Sequence, residues 1–252
     1  MTGGRSLENE PGVRAEEIDL SVVLPVHNEA ESLPSLWAEL WGVLEAGRWS
    51  AEVIFVDDGS TDGSAERLSA IAGGDPRVRL VRLAANAGLS AALAVGLGRA
   101  RGRIVVTMDS DLQSDPRDIP RLLAHLDEFD AVNGWRQRRE DPALRRISSR
   151  IANTIRNRVT GDDVKDSACG LRAMRRRCVA DLPLFHGFHR FVPTLLRMAG
   201  HRVLELPVNH RPRRYGTSHF GIQNRAWRTF QDLLAVRWMQ RRRLRYTILD
   251  ED

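Results

Sequence analysis

The sequence is short of lysine, cysteine and tyrosine. It holds Lys165 alone of its kind, two cysteines and two tyrosines in 252 residues. With only Cys169 and Cys178 available, a disulfide-stapled secreted scaffold is excluded, and without suitable histidine partners the two make a poor zinc site. The pair fits a reducing cytoplasm, with both thiols buried or inert and a disulfide unneeded. Long apolar runs are absent too. No stretch of about 18 apolar residues occurs, so no membrane-spanning helix is expected. Residues 1–19 are polar and acidic and lack an apolar h-region, so they are read as a disordered lead-in and not as a signal peptide.

What replaces lysine is arginine, placed unevenly. Residues 1–135 carry 12 arginines against 22 acidic residues, a net of −10. The remainder carries 26 basic against 11 acidic residues, a net of +15. Arginine presents a rigid fork of donors that matches phosphate and carboxylate. The basic half therefore points to anionic ligands, an anionic membrane surface or nucleic acid. No nucleic-acid motif is present and aromatics do not interleave the arginine runs, so nucleic acid is not expected as a partner.

The first 110 residues alternate apolar runs with helical spacing. Leu20–Val26, Glu52–Val56, Val78–Leu83 and Arg103–Met108 read as strands. Ser32–Ala46, Gly63–Ala72 and the segment from Asn86 to Arg101 read as helices. Strand–helix alternation predicts an α/β fold with a mostly parallel, twisted, doubly wound sheet flanked by helices and joined by right-handed crossovers. Further on, helices are predicted over Asp118–Leu126, Arg175–Leu182 and Phe191–Ala199, with strands over Asp130–Gly134 and Arg202–Pro207. Arg225–Gln240 reads as a basic amphipathic helix, which suits a membrane surface, a partner, self-association or packing on its own domain. The expected organisation is a lead-in at 1–19, one domain at 20–220 and a basic helical extension with its tail at 221–252.

Chemistry is expected at the strand ends, because ligands of open α/β sheets sit outside the carboxyl edge. Ile104–Met108 ends in Asp109-Ser110-Asp111-Leu112-Gln113, whose hard oxygens suit Mg²⁺ or Mn²⁺. Asp109, Asp111 and Gln113 are the candidate ligands. Leu20–Val26 ends in His27-Asn28-Glu29, and Glu52–Val56 in Asp57-Asp58-Gly59-Ser60-Thr61-Asp62. Histidines His27, His125, His186 and His201 join no constellation and are read as structural or exposed.

These tips, with Asn86-Ala87-Gly88-Leu89-Ser90, resemble family 2 glycosyltransferases of the GT-A fold. Asn133-Gly134-Trp135-Arg136, Arg145-Arg146-Ile147-Ser148-Ser149, Asp166-Ser167-Ala168-Cys169-Gly170-Leu171-Arg172, His189-Arg190-Phe191 and Arg213-Arg214-Tyr215-Gly216-Thr217-Ser218-His219 resemble the polyprenyl-phosphate, dolichol-phosphate mannosyltransferase-like branch. His219 stands where that branch usually has lysine. The resemblance covers roughly residues 20–240. It implies a nucleotide-diphosphate sugar donor (UDP-, GDP- or dTDP-linked), a divalent cation and inverting transfer to a polyprenyl (undecaprenyl or dolichyl) phosphate. Pro25, Asn28, Glu29, Asp57, Asp58, Asn86, Gly88 and Ser110 would then line the donor pocket. Asp111, Arg136, Arg139, Arg145, Ser149, Arg190, Arg214 and Ser218 would serve the transfer and the acceptor phosphate. For Asp166–Arg172, shaping of the cleft competes with an internal ion pair. Many relatives carry C-terminal membrane helices that this sequence lacks, so two alternatives stand beside a peripheral cytoplasmic enzyme. One is a soluble family 2 transferase with a glycan, protein or metabolite acceptor; the other is a non-catalytic basic binding protein.

Overall fold

The structure, a computed structural model, describes residues 18–136, 153–213 and 223–243. Seven strands form one sheet: β1 (Leu20–Val26), β2 (Ala51–Asp57), β3 (Val78–Arg82), β4 (Ile104–Thr107), β5 (Ala131–Arg136), β6 (Arg172–Arg175) and β7 (Val203–Val208). Their order across the sheet is β3-β2-β1-β4-β6-β5-β7. The helices are α1 (Leu33–Gly47), α2 (Ser64–Gly74), α3 (Leu89–Leu97), α4 (Ile119–Leu123), α5 (153–160 of the described chain), α6 (Arg176–Ala180), α7 (Val192–Met198) and α8 (Gln223–Arg242).

β1 is apolar along nearly its whole length because both of its faces are covered. Alternate residues serve two different cores, as the period of a strand requires. Val22 and Leu24 pack with Val53, Phe55 and the α1 leucines Leu33, Leu36, Leu40 and Leu44. Val23 faces the other way, with Ile54, Val56, Val105, Leu195, Leu233 and Val236. α8 therefore packs on the domain through Leu233 and Val236, both buried.

The register sets the site. β1 runs parallel to β2, with Val26 opposite Asp57, and parallel to β4, with Val23 opposite Thr107. One strand breaks the parallel pattern. β6 runs antiparallel to both neighbours, with Arg172 opposite Thr107 on β4 and Asn133 on β5. The chain thus leaves β5 at Arg136 and enters β6 at Arg172 on the same edge as the β1, β2 and β4 tips. β7 is again parallel to β5 and delivers residues 209–213 to that edge.

Candidate active site

The β4 tip is pinned to β1. Ser110 Oγ donates to the Pro25 carbonyl at 2.9 Å, and Leu112 takes a left-handed φ of 63°. That conformation is costly for a bulky residue and is held by its surroundings; Leu112 is buried. The turn displays two carboxylates. Asp111 Oδ1 accepts from Gln113 N at 3.1 Å, and Oδ2 accepts from Arg213 Nη2 at 2.8 Å. Arg213 also lies 3.5 Å from Glu29 Oε1. Asp109 packs against Gly170, where an added Cβ would collide with its carboxyl, and Thr107 Oγ1 holds the Gly170 carbonyl at 2.8 Å. Crowding by protein around the Asp109 carboxyl, then the charge of Asp111, raise its pKa to about 6 against the pull of Arg172, Arg136 and Arg213. Burial likewise raises Glu29.

Asp109 and Asp111 thus share one turn, and the Arg213 guanidinium lies between Asp111 and Glu29. This is the setting in which a hard divalent cation is favoured. Among the described residues no group of three or more His, Cys, Asp or Glu side chains forms a self-sufficient metal cage. Such a site suits an ion held by one or two carboxylates and completed by substrate phosphates. Asp109 and Asp111 fit that role. Gln113 is tied to the 209–213 segment: its side-chain Nε2 donates to the Arg211 carbonyl at 3.4 Å, and its backbone carbonyl accepts from Arg211 N at 2.8 Å.

The residues expected to line the donor pocket largely hold one another. Asp58, buried, accepts from Ala87 N at 2.7 Å and Gly88 N at 2.9 Å. Asp57 Oδ1 accepts from Ser60 N at 3.1 Å. Asn28, at φ 56°, accepts on Oδ1 from Thr61 N at 2.8 Å, and its backbone N–H donates to Ser60 Oγ at 3.0 Å. Gly59 sits at φ 65°, and a Cβ there would lie 2.6 Å from the Asn86 nitrogen. These contacts bring the β1, β2 and 86–88 segments together beside the acidic pair. They engage Asp58 in positioning that loop.

His27 is structural, as read from the sequence, but it joins the strand-tip constellation after all. Its Nδ1 contacts the Asp58 carbonyl at 2.8 Å and its Nε2 the Asn86 amide nitrogen at 2.9 Å. A proton on Nδ1 satisfies both, so His27 bridges all three segments. Asp62 also joins them, accepting from Ala30 N at 3.0 Å and Ser64 Oγ at 2.6 Å. The signal was the placement of both residues at strand tips.

Opposite the acids stand arginines. Arg136 ends β5 and forms a two-pronged bond with Asp166, Nε to Oδ2 at 2.7 Å and Nη2 to Oδ1 at 2.9 Å. The Asp166–Arg172 pair weighed from the sequence is not the one formed. Arg172 instead donates to Asn133 Oδ1 at 2.8 Å, His189 O at 2.9 Å and Ser167 O at 3.1 Å. β6 enters antiparallel between β4 and β5, which turns Arg172 toward Asn133 and leaves Asp166 to Arg136. Arg190 contacts Thr229 Oγ1 at 3.2 Å and Asp232 Oδ2 at 3.6 Å, both on α8. Arg139, Arg145, Ser149, Arg214 and Ser218 lie outside the described residues.

A mostly parallel seven-stranded sheet flanked by helices is the fold of GT-A glycosyltransferases. The chain belongs to glycosyl transferase family 2, whose family model matches residues 21–182. It is 35% identical over 243 residues to dodecaprenyl-phosphate galacturonate synthase of Rhizobium johnstonii, covering 94% of this chain and 71% of that enzyme. It is 38% identical over 205 residues to undecaprenyl-phosphate 4-deoxy-4-formamido-L-arabinose transferase of Salmonella enteritidis, covering 81% of this chain and 63% of that one. The chain thus spans less than two thirds of the length of the Salmonella enzyme. Its fold matches the crystal structure of glucosyl-3-phosphoglycerate synthase from Mycobacterium tuberculosis in complex with Mn²⁺ and UDP-glucose. The TM-score is 0.66 at 22% identity, covering 88% of this chain and 79% of that one.

Proposed function

We propose that this glycosyltransferase moves a sugar from a nucleotide-diphosphate donor to a polyprenyl phosphate, inverting the anomeric centre, from the cytoplasmic face of a membrane. The observation that carries the reading is the meeting, at one sheet edge, of Asp109 and Asp111 with Arg213, Arg136 and Arg172. One side suits a cation-bound diphosphate and the other an anionic acceptor. The two curated relatives named above are both polyprenyl-phosphate enzymes by name, which supports the lipid acceptor.

Asp109 and Asp111 would hold Mg²⁺ or Mn²⁺, displacing Arg213 from Asp111. Bound there, the ion would neutralise the departing nucleotide diphosphate. Pro25, Asn28, Glu29, Asp57, Asn86, Gly88 and Ser110 would shape the pocket for base and ribose, with Asp58 and His27 setting the 86–88 loop. The acceptor phosphate is ionised near neutral pH, so no strong general base is required. Its oxygen attacks the anomeric carbon as the bond to the diphosphate breaks, and the electron pair leaves with the nucleotide. Arg136, Arg190 and Arg213, with Arg139, Arg145, Ser149, Arg214 and Ser218, would hold two phosphates near each other in line for that displacement.

The test offers polyprenyl phosphate, phosphoglycerate and a glycan in competition to the enzyme with its donor and Mn²⁺. Lipid-linked product of opposite anomeric configuration supports the reading. Transfer only to a non-lipid acceptor replaces it with a soluble transferase, and retained configuration rules out direct displacement.

A further inference from the structure

α8 is apolar on two sides. One side is spent inward: Leu233 and Val236 are 5% and 0% exposed. The opposite side carries Trp227, Phe230, Leu234 and Trp238 at 63%, 43%, 49% and 63% exposure. Spacings of three, four and four put these four on one stripe. Trp227 and Phe230 stack on each other, with centroids 5.9 Å apart, which leaves two large rings facing water together. Isolated exposed apolar residues are ordinary, whereas a contiguous aromatic stripe marks a surface that meets something.

The charges say what. Arg228, Arg237, Arg241 and Arg242 lie on the same helix, and Arg243, just past its end, donates to the Ala199 carbonyl at 2.9 Å. Within 227–243 the one carboxylate is Asp232, and it points inward to Arg190 at 3.6 Å. A side chain at Gly187 would run into it. The outward half of α8 is thus aromatic and cationic, without a negative charge. That is the pattern of a helix lying in a lipid interface, with rings at headgroup depth and arginines among anionic headgroups. Among the described residues no helix is long and apolar enough to cross a membrane, so a lipid contact of α8 would run along the bilayer surface.

We infer that the Trp227–Trp238 face of α8 is a docking surface for an anionic lipid bilayer. The inference rests on the membrane-acceptor reading for its purpose, and on α8 alone for its geometry. Contact of Asp232 and Thr229 with Arg190 places the docked helix directly against a candidate acceptor-binding arginine. A docked enzyme would have a bilayer-held phosphate within reach of its site.

The experiment is cosedimentation of the full chain with vesicles of neutral phosphatidylcholine, and with vesicles containing 30% phosphatidylglycerol. It is run at low and at high salt, with the Trp227→Ala/Trp238→Ala and Arg241→Gln/Arg242→Gln variants alongside. Wild type should bind the anionic vesicles and release in high salt. The arginine pair should lower partitioning by roughly 30-fold, at about tenfold per 1.4 kcal/mol. The tryptophan pair should lower it by at least about tenfold. Brominated lipid should quench the wild-type tryptophan fluorescence, a readout that needs no variant. Wild type left in the supernatant, or a tryptophan variant that binds like wild type, overturns the inference. So does a dimer that the tryptophan substitutions dissolve with no vesicle binding. Transfer to a short, water-soluble prenyl phosphate separates the two readings. Both variants should keep it, and wild-type failure there would sink the acceptor reading while leaving vesicle binding to stand.

Discussion

Arg213 Nη2 lies 2.8 Å from Asp111 Oδ2, joining residues 102 positions apart in sequence. A cation held by Asp111 would have to displace that guanidinium, so ion and arginine would compete for one carboxylate. Arg213→Ala should therefore tighten Mn²⁺ binding to the nucleotide-free protein by about tenfold, equivalent to about 1.4 kcal/mol. Isothermal titration with Mn²⁺ measures this. Unchanged affinity would mean that the ion does not use Asp111.

Asp58 should matter through the loop it holds. Asp58→Ala removes the acceptor for two backbone amides, Ala87 and Gly88. Hydrogen bonds to a charged group contribute about 1.5–3 kcal/mol, so the urea midpoint should drop and nucleotide binding weaken together. Asp58→Asn, which keeps one acceptor oxygen, should fall between.

The Arg136–Asp166 pair is largely buried. Asp166→Ala leaves the Arg136 charge unpaired and should cost about 3–5 kcal/mol. Removing both charges should cost less than the two single changes added together. A double-mutant cycle by chemical denaturation gives the coupling, and strict additivity would show that the pair is not an energetic unit.

Acid should weaken the fold at the far end of the sheet. Burial works against the Glu52 charge, but bonds from Ser21, Arg79 and the Arg101 amide outweigh it and hold its pKa below the ordinary value. A depressed folded pKa means stability that is present above the unfolded pKa and is lost as pH falls through the folded one. Wild-type stability should therefore fall from pH 5 toward pH 3, and Glu52→Gln should show a smaller slope. Equal slopes would remove Glu52 from the account.

The thiols should be silent. Burial pushes Cys169 up to about 12 and Cys178 to about 11. Even Cys178 is then about one part in a thousand thiolate at pH 8, and the thiolate is the reactive form. A thiol reagent should label neither in the native protein and both in denaturant.

The β2 and β4 tips were legible because their apolar runs stop at Asp57 and Asp109, and a covered parallel strand must be apolar until it reaches the edge. The donor-side residues were legible for the same reason, but their partners were not. Asp58 bonds amides some 30 residues away, and that contact exists only once β2 and β3 lie side by side. His27 looked unemployed because its contacts come from two other loops. The reversal of β6 was hidden, since four residues of Arg-Ala-Met-Arg carry no mark of direction. From it follows the exchange of partners between Arg136 and Arg172. α8 was legible as a basic amphipathic helix, but which of its apolar residues face outward was decided by packing at Leu233 and Val236.

One measurement bears most directly on the central claim. A panel of nucleotide sugars is offered with a polyprenyl phosphate, in Mn²⁺ or Mg²⁺ and in EDTA, to wild type and Asp111→Asn. Lipid-linked product is expected from one donor, abolished by EDTA and reduced at least about 100-fold by the substitution. Lipid-linked product formed equally well in EDTA or by Asp111→Asn would contradict the claim.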